Sequence, residues 1–335
     1  MAAVRPRGVL ELCFRALLHL GGRKMINSTR HSDVIHQLEK LKAQKLNISD
    51  EYADKIAEIL DQHGYSNVVK SYRDPYVIRT ASGIEYRDGV SFDQIYSLYL
   101  FDKNLRIAVM AAMLDFEEYI KEAAANVLAR SFGPNSADYL KYANYQNRRK
   151  RKPQFTLKAL LDKMNDALAS DKEPILHYRK RTGNVPPWIL FKGVYFSTII
   201  NFIDQFKSQQ AKDLISIIYT DKHPVADEHM RRFMMDSLYI CSEYRNTAAH
   251  GGMIYNMQPQ KMYGEYGGTT FSFTGFSILL YALSQFKYDE PYKTLQFALS
   301  REISRHCGMH PSDSTYLAQI LNVNIYHEEK NNGNG

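Results

Sequence analysis

The chain is poor in cysteine, in long apolar runs and in glycine-rich phosphate loops, and each scarcity removes a class of protein. Its three cysteines, Cys13, Cys241 and Cys307, lie far apart without CxxC spacing. Neither a disulfide framework nor a zinc ribbon is supported, and a reducing cytoplasm is the default setting. No run approaches the roughly 18 to 20 uncharged apolar residues that a membrane span needs; tracts such as FSILLYAL are core-sized. Alternating βαβ units are missing, as are GxGxxG and GxxxxGKS/T, which argues against a nucleotide-binding α/β fold. Ser-His-Asp and Cys-His catalysis have no supporting motif, and no repeat of roughly 20 to 50 residues occurs. His306, Cys307 and His310 lack a fourth ligand at metal-site spacing, so no metal and no cofactor is expected.

What is there is an ordinary apolar content of 44% and a net charge of +7 over 335 residues. The first suffices for a real core, and the second favours polyanionic partners, among which RNA, DNA and acidic membrane surfaces all fit. The opening stretch loosely mimics a targeting peptide, but Glu11 and Arg15 interrupt its apolar centre and no small-residue cleavage site follows. Because Met25 opens a cleaner sequence, residues 1–24 are expected to be a start-site extension.

Periodicity then predicts a mainly α chain. HSDVIHQLEKLKAQKL carries Val34, Leu38 and Leu41 on one face, and NISDEYADKIAEILDQHG adds polar caps, the stripe Ala53, Ile56, Ile59, Leu60 and a stop at Gly64. Together they predict an N-terminal helical hairpin within a helical region 25–90. Residues 71–92 break the period with Pro75, Gly83 and Gly89, leaving room for a small β-hairpin. From residue 91 a long helix is expected, bent or broken near Phe101 to Asn104, with Leu105, Val109, Met113, Phe116 and Ile120 on one apolar face. Further helical text follows as a bundle to residue 327, and residues 328–335 read as a disordered tail.

One helix end gathers polar chemistry. In SEYRNTAAHGGMIYN, Arg245 continues the apolar line Met230, Met234, Leu238, Cys241. A charge on that line must be paired, exposed at the helix end, or functional. Asn246 and His250 share a face, and the helix C-terminus favours an imidazolium. A histidine suits proton transfer, an arginine forks around a phosphate, and an asparagine orients one or the other, which together resemble what metal-independent RNA cleavage requires. The plainer account is a cap, with cations near the last carbonyls, glycine at the stop, and Tyr244 and Tyr255 packed as core. Spacing alone does not decide, because SRHCGMH places Arg305 five before His310 in the same way. Elsewhere, Arg148, Arg149, Lys150, Arg151 and Lys152 run together beside Tyr142, Tyr145 and Phe155, a candidate for phosphate tracking with stacked bases; HYRKR at 177–181 is a lesser one. Asp102 and Arg106 read as a surface pair worth a few tenths of a kcal/mol.

The string SEYRNTAAHGGMIYN resembles the Arg-Asn-x-x-x-His signature of the HEPN superfamily, and specifically of the Abi-like proteins, a bacterial abortive-infection group whose string ends in an aromatic residue and an asparagine, here Tyr255 and Asn256. QLEKLKAQKLNISDEYADKIAEILDQHGY is similar to that family's opening helical pair. FDKNLRIAVMAAMLDFEEYIKEAAANVLA resembles its central helix, with Phe101, Asp102, Leu105, Arg106 and Glu117 in matching places, and PPWILFKGVYFSTIINFIDQF resembles its Pro-x-Trp segment. The resemblance implies a HEPN-like helical domain over 91–327, commonly a homodimer in which the Arg and His of two copies meet in a ribonuclease site. It makes Arg245, Asn246 and His250 the catalytic candidates and Glu117 the partner of a cation there, while on residue type alone a plain surface carboxylate fits Glu117 equally well. The chain departs from the pattern at Leu114, where an acidic residue is usual, and at Ala248, Ala249 and Gly251, where a second His or Cys often stands. The implied protein is a cytoplasmic endoribonuclease of phage defence or a toxin, with RNA as substrate and an antitoxin or regulatory noncoding RNA as restraint. A non-catalytic RNA-binding module and a protein-interaction scaffold are the alternatives.

Overall fold

The computed structural model describes residues 28–324 except 82, 222 and 226, and side chains from residue 34 onward. The expected extension 1–24 and tail 328–335 lie outside the described residues. The chain divides into a unit ending at Tyr96 and one beginning at Ser97.

In the first unit, α1 (Ser28–Ala43) and α2 (Asp50–His63) form the expected hairpin. Asp50 and Glu51 open α2 where the helix dipole favours acids, and Gly64, at φ +84°, ends it. Leu41, Ile56 and Leu60 are buried. The small β-hairpin is also present: β1 (Val77–Thr80) pairs antiparallel with β2 (Gly83–Tyr86), from Val77 opposite Tyr86 to Thr80 opposite Gly83. The Tyr86 N–H donates to the Gln44 carbonyl at 2.8 Å, tying the hairpin to the segment after α1.

The second unit takes its frame from α3 (Phe92–Phe132), whose residues from Ser97 onward belong to it. The expected break at 101–104 is absent and the helix is one run of 41 residues. Its polar groups there find tertiary partners instead of opening the helix: Asn104 Nδ2 donates to Glu302 Oε2 at 2.9 Å, and Asp102 is fully buried among backbone donors. The predicted apolar face of Leu105, Val109, Met113, Phe116 and Ile120 is buried throughout. Short helices follow: α4 (Leu157–Leu168), α5 (Ile175–Thr182), α6 (Phe196–Ile203) and α7 (Ser208–Ile218). Next comes α8 (Asp227–Ala249), packed against α6, α7 and α9 (Ser277–Ser284), then α10 (Glu290–Met309) and α11 (Ser314–Leu321). A second hairpin of β3 (Glu265–Tyr266) and β4 (Thr269–Thr270), not anticipated from the sequence, lies on α8, where Tyr266 Oη donates to the buried Asp236 at 2.5 Å. The fold is mainly α.

Candidate functional site

The apolar line on α8 is real: Met230, Met234, Leu238 and Cys241 are all buried, so Arg245 enters the site from the core side of the helix. Its charge is met by Glu117 of α3, whose Oε2 lies 3.6 Å from Arg245 Nε. Glu117 Oε1 is taken by Lys121 at 2.7 Å. At 3.6 Å the Glu117–Arg245 contact is an ion pair without a hydrogen bond, and both facing atoms are buried with no other partner. The outer end of the guanidinium reaches solvent, since the Arg245 side chain keeps 29% of its exposure, and Nη1 lies 3.5 Å from Asn246 Oδ1. The pair therefore meets the inner nitrogen of the guanidinium, and the side chain stays part-exposed.

One turn later α8 stops by backbone means. The His250 N–H closes the last helical turn on Asn246 O at 3.0 Å, Gly251 takes φ +72°, and the Gly252 N–H returns to Thr247 O at 2.8 Å. A side chain at 252 would collide with Thr247 Cγ2 at 2.6 Å, so the second glycine is needed for close approach. His250 itself is exposed at this stop, as is Asn246. Tyr244 and Tyr255 are core, as the capping account anticipates: Tyr244 Oη donates to Gly275 O at 3.0 Å and Tyr255 Oη pairs with Tyr316 Oη at 3.1 Å. Asn256 is half-buried beside them.

The loop after His250 is clamped by α3. Asp102 Oδ1 accepts the backbone N–H groups of both Ile254 and Tyr255 at 2.8 Å, and Arg106 Nη1 donates to Gly251 O at 2.5 Å. Asp102 is fully buried and Arg106 Nε stands 3.6 Å from it. The expectation of a weak surface pair is overturned: these two residues hold the histidine-bearing turn, because the backbone N–H groups that Asp102 accepts from and the carbonyl that Arg106 donates to lie 145 to 153 residues later in the chain. Only their placement in the family resemblance hinted at this.

The cationic run is divided. Arg148, Arg149, Arg151 and Lys152 are exposed, whereas Lys150 forms an ion pair with Asp204, at the end of α6. The backbone is pinned: the Arg148 N–H donates to Gln205 Oε1 at 2.8 Å and the Gln146 N–H to Gln205 O at 2.7 Å. Of the expected stacking rings, Tyr145 is core, packed 4.7 Å from Phe202 with its hydroxyl on Tyr139 O, and Phe155 lies under Lys163 at 5.2 Å. Tyr142 alone of the three is exposed. In the lesser stretch Arg179 is used internally, on Leu168 O at 2.6 Å and Asp171 at 3.0 Å. His306 faces Ser97 and Asp313, and among the described residues no three His, Cys, Asp or Glu side chains are grouped so as to hold a metal ion. No described helix is long and apolar enough to cross a membrane.

A family model described as Abi-like protein matches residues 58–256, more than half of the chain, and spans α3, α6 and the whole of the Arg245–His250 turn. No curated protein and no solved structure matches.

Proposed function

The chain belongs to the Abi-like protein family, of abortive-infection type, and from that premise we propose that it is a metal-independent endoribonuclease of the HEPN kind, acting on RNA in phage defence or as a toxin in the cytoplasm. The observation that carries this reading is the part-exposed Arg245, its inner nitrogen beside the buried Glu117, at the same helix end as the exposed His250. A structural cap does not need the carboxylate brought in from α3.

In the proposed reaction the 2′-oxygen attacks phosphorus while the P–O5′ bond breaks. The 2′-hydroxyl proton leaves to an imidazole, and a proton is delivered to the departing 5′-oxygen, giving a 2′,3′-cyclic phosphate and a 5′-hydroxyl end. Arg245 binds the phosphate and stabilises the charge that grows on its oxygens, while Asn246 Oδ1 steadies the fork from 3.5 Å. His250 moves the proton. One imidazole serving both transfers is less favourable than two, which favours a homodimer bringing a second His250 to the same phosphate. Support for such a face comes from α3, where Ile107 and Leu114 are 60% and 49% exposed on the helix that clamps the turn through Arg106. An antitoxin or regulatory noncoding RNA would restrain the activity.

The test is to incubate the folded protein with total RNA in chelator and to map the new ends. Cyclic phosphate and 5′-hydroxyl ends that disappear in His250→Ala support the enzyme. Bound but uncut RNA would leave a binding module, and neither activity a scaffold.

A further inference from the structure

The site proposed above holds one phosphate, and an endonuclease must also hold the strand on either side of it. α6 runs antiparallel to α8: Arg231, near the start of α8, donates to the carbonyls of Phe206 and Asp204 beyond the end of α6 at 2.8 and 2.7 Å, while Tyr239, two turns further along α8, donates to Asn201 at 3.1 Å, earlier in α6. The beginning of α6 therefore points toward the Arg245 end of α8. Its second contact agrees, since the Phe196 ring meets Phe116 of α3 edge-on at 6.2 Å, next in sequence to Glu117.

Exposed groups flank both ends of α6, while the helix between them is buried apart from Ser197. At its far end Lys150 pairs with the Asp204 carboxylate while Arg231 donates to the Asp204 carbonyl, and burial and the nearby Arg148 guanidinium both push the Arg231 side chain below its ordinary value. Arg149, Arg151 and Lys152 stand exposed on the same pinned segment. At its near end Tyr195 is 82% exposed, and its ring has no aromatic or cationic partner among the described residues. It is held rigidly all the same. Val194 and Phe196 on either side are buried, and the Tyr195 carbonyl accepts from Thr198 and Ile199 at 2.9 and 3.1 Å. The nine residue steps from Tyr195 to Asp204 cover about 13 Å at helical rise, the reach of a few nucleotides.

We propose that Tyr195 is a base-stacking platform which, with Arg148, Arg149, Arg151 and Lys152, forms a track for single-stranded RNA from one end of the buried α6 to the other, leading to the Arg245–His250 end of α8. An exposed ring stacks any unpaired base, and cations spaced beside it track the phosphates without reading sequence. A duplex hides its bases and is disfavoured. The proposal rests on the ribonuclease reading for its direction but not for its detection.

The experiment titrates a fluorescein-labelled single strand of 2′-O-methyl RNA, which cannot be cut, against wild-type protein, Tyr195→Ala, Tyr195→Phe and the double variant Arg149→Gln/Arg151→Gln, following anisotropy over a range of salt. Tyr195→Ala is expected to weaken binding on the order of 5- to 100-fold with the salt slope unchanged. Tyr195→Phe should bind as wild type, and the double variant should lower the slope by about 0.7 for each phosphate no longer neutralised. Tyr195→Ala binding as tightly as wild type, or a perfect duplex of equal length binding as tightly as the single strand, overturns the track. If RNA is never cleaved yet the Tyr195 dependence holds, the ribonuclease reading falls and the track stands; if cleavage occurs and Tyr195→Ala binds unchanged, only the track falls.

Discussion

Two helix ends in the second unit carry arginine five residues before histidine, Arg245 and His250 at the end of α8 and Arg305 and His310 at the end of α10. Their surroundings differ in kind. At α8 the arginine is held by Glu117 of another helix, and the turn after the histidine is clamped by Asp102 and Arg106. At α10 the arginine sits 3.5 Å from Glu302 of its own helix, a carboxylate already shared with Arg301 and Asn104. His310 lies beside the ring of His306, which is buried between Ser97 and Asp313, and Pro311 leads the chain directly into α11. A cation and an imidazole at a helix end are cheap in sequence. On the proposed reading, what separates a site from a stop is whether a distant helix supplies the groups that hold them.

If that is the difference, the largest single effect falls on the clamps. Asp102→Ala strands two buried backbone N–H groups and the charge of Arg106, a loss of about 2–4 kcal/mol that thermal unfolding would register as a fall in Tm of several degrees. Removing the buried histidine of the other end, His306→Ala, deletes its bonds to Ser97 and Asp313 and should cost about 1–3 kcal/mol of stability while leaving RNA cleavage unchanged in the folded protein. Glu117→Gln keeps the shape and drops the charge behind Arg245, so a cleavage loss of roughly tenfold, equal to about 1.4 kcal/mol, is expected with little change in Tm. Equal losses of stability and activity would blur the contrast.

A smaller effect tests the start of α8. His223 packs 4.5 Å from Phe233, accepts from the Val225 N–H, and is pushed down to about 4 by burial. The folded form thus binds fewer protons than the unfolded between about pH 6.5 and 4, and stability falls as pH drops through that window. Half-exposed as the group is, solvent screening limits the loss to about 1 kcal/mol, read as the difference in denaturant midpoint between pH 7 and pH 4.5, and His223→Gln should flatten it. Smallest is Arg305→Ala, whose exposed bridge should be worth less than about 0.5 kcal/mol.

The same contrast explains what the sequence could and could not reveal. Periodicity located the helical hairpin, α3 and the stripe on α8, because each buried face repeats within its own helix. The unbroken passage of α3 through 101–104 was not legible, since Asn104 and Asp102 are satisfied by Glu302 and by Ile254 and Tyr255, far along the chain. For the same reason Lys150 looked like one of five equivalent cations until Asp204 claimed it, and Tyr145 like a surface ring until Phe202 covered it. The β3–β4 hairpin did leave a signal, the Gly267–Gly268 pair at φ +58° and +83°, but strands of two residues carry no alternation.

The most direct test of the central claim compares RNA cleavage rates of two matched variants in chelator, His250→Ala and His310→Ala, each checked for a native Tm. The account predicts a loss of roughly a hundredfold or more for the first, the usual worth of an acid–base group, and a rate within about twofold of wild type for the second. Equal rates in the two, whether both lost or both kept, would contradict it.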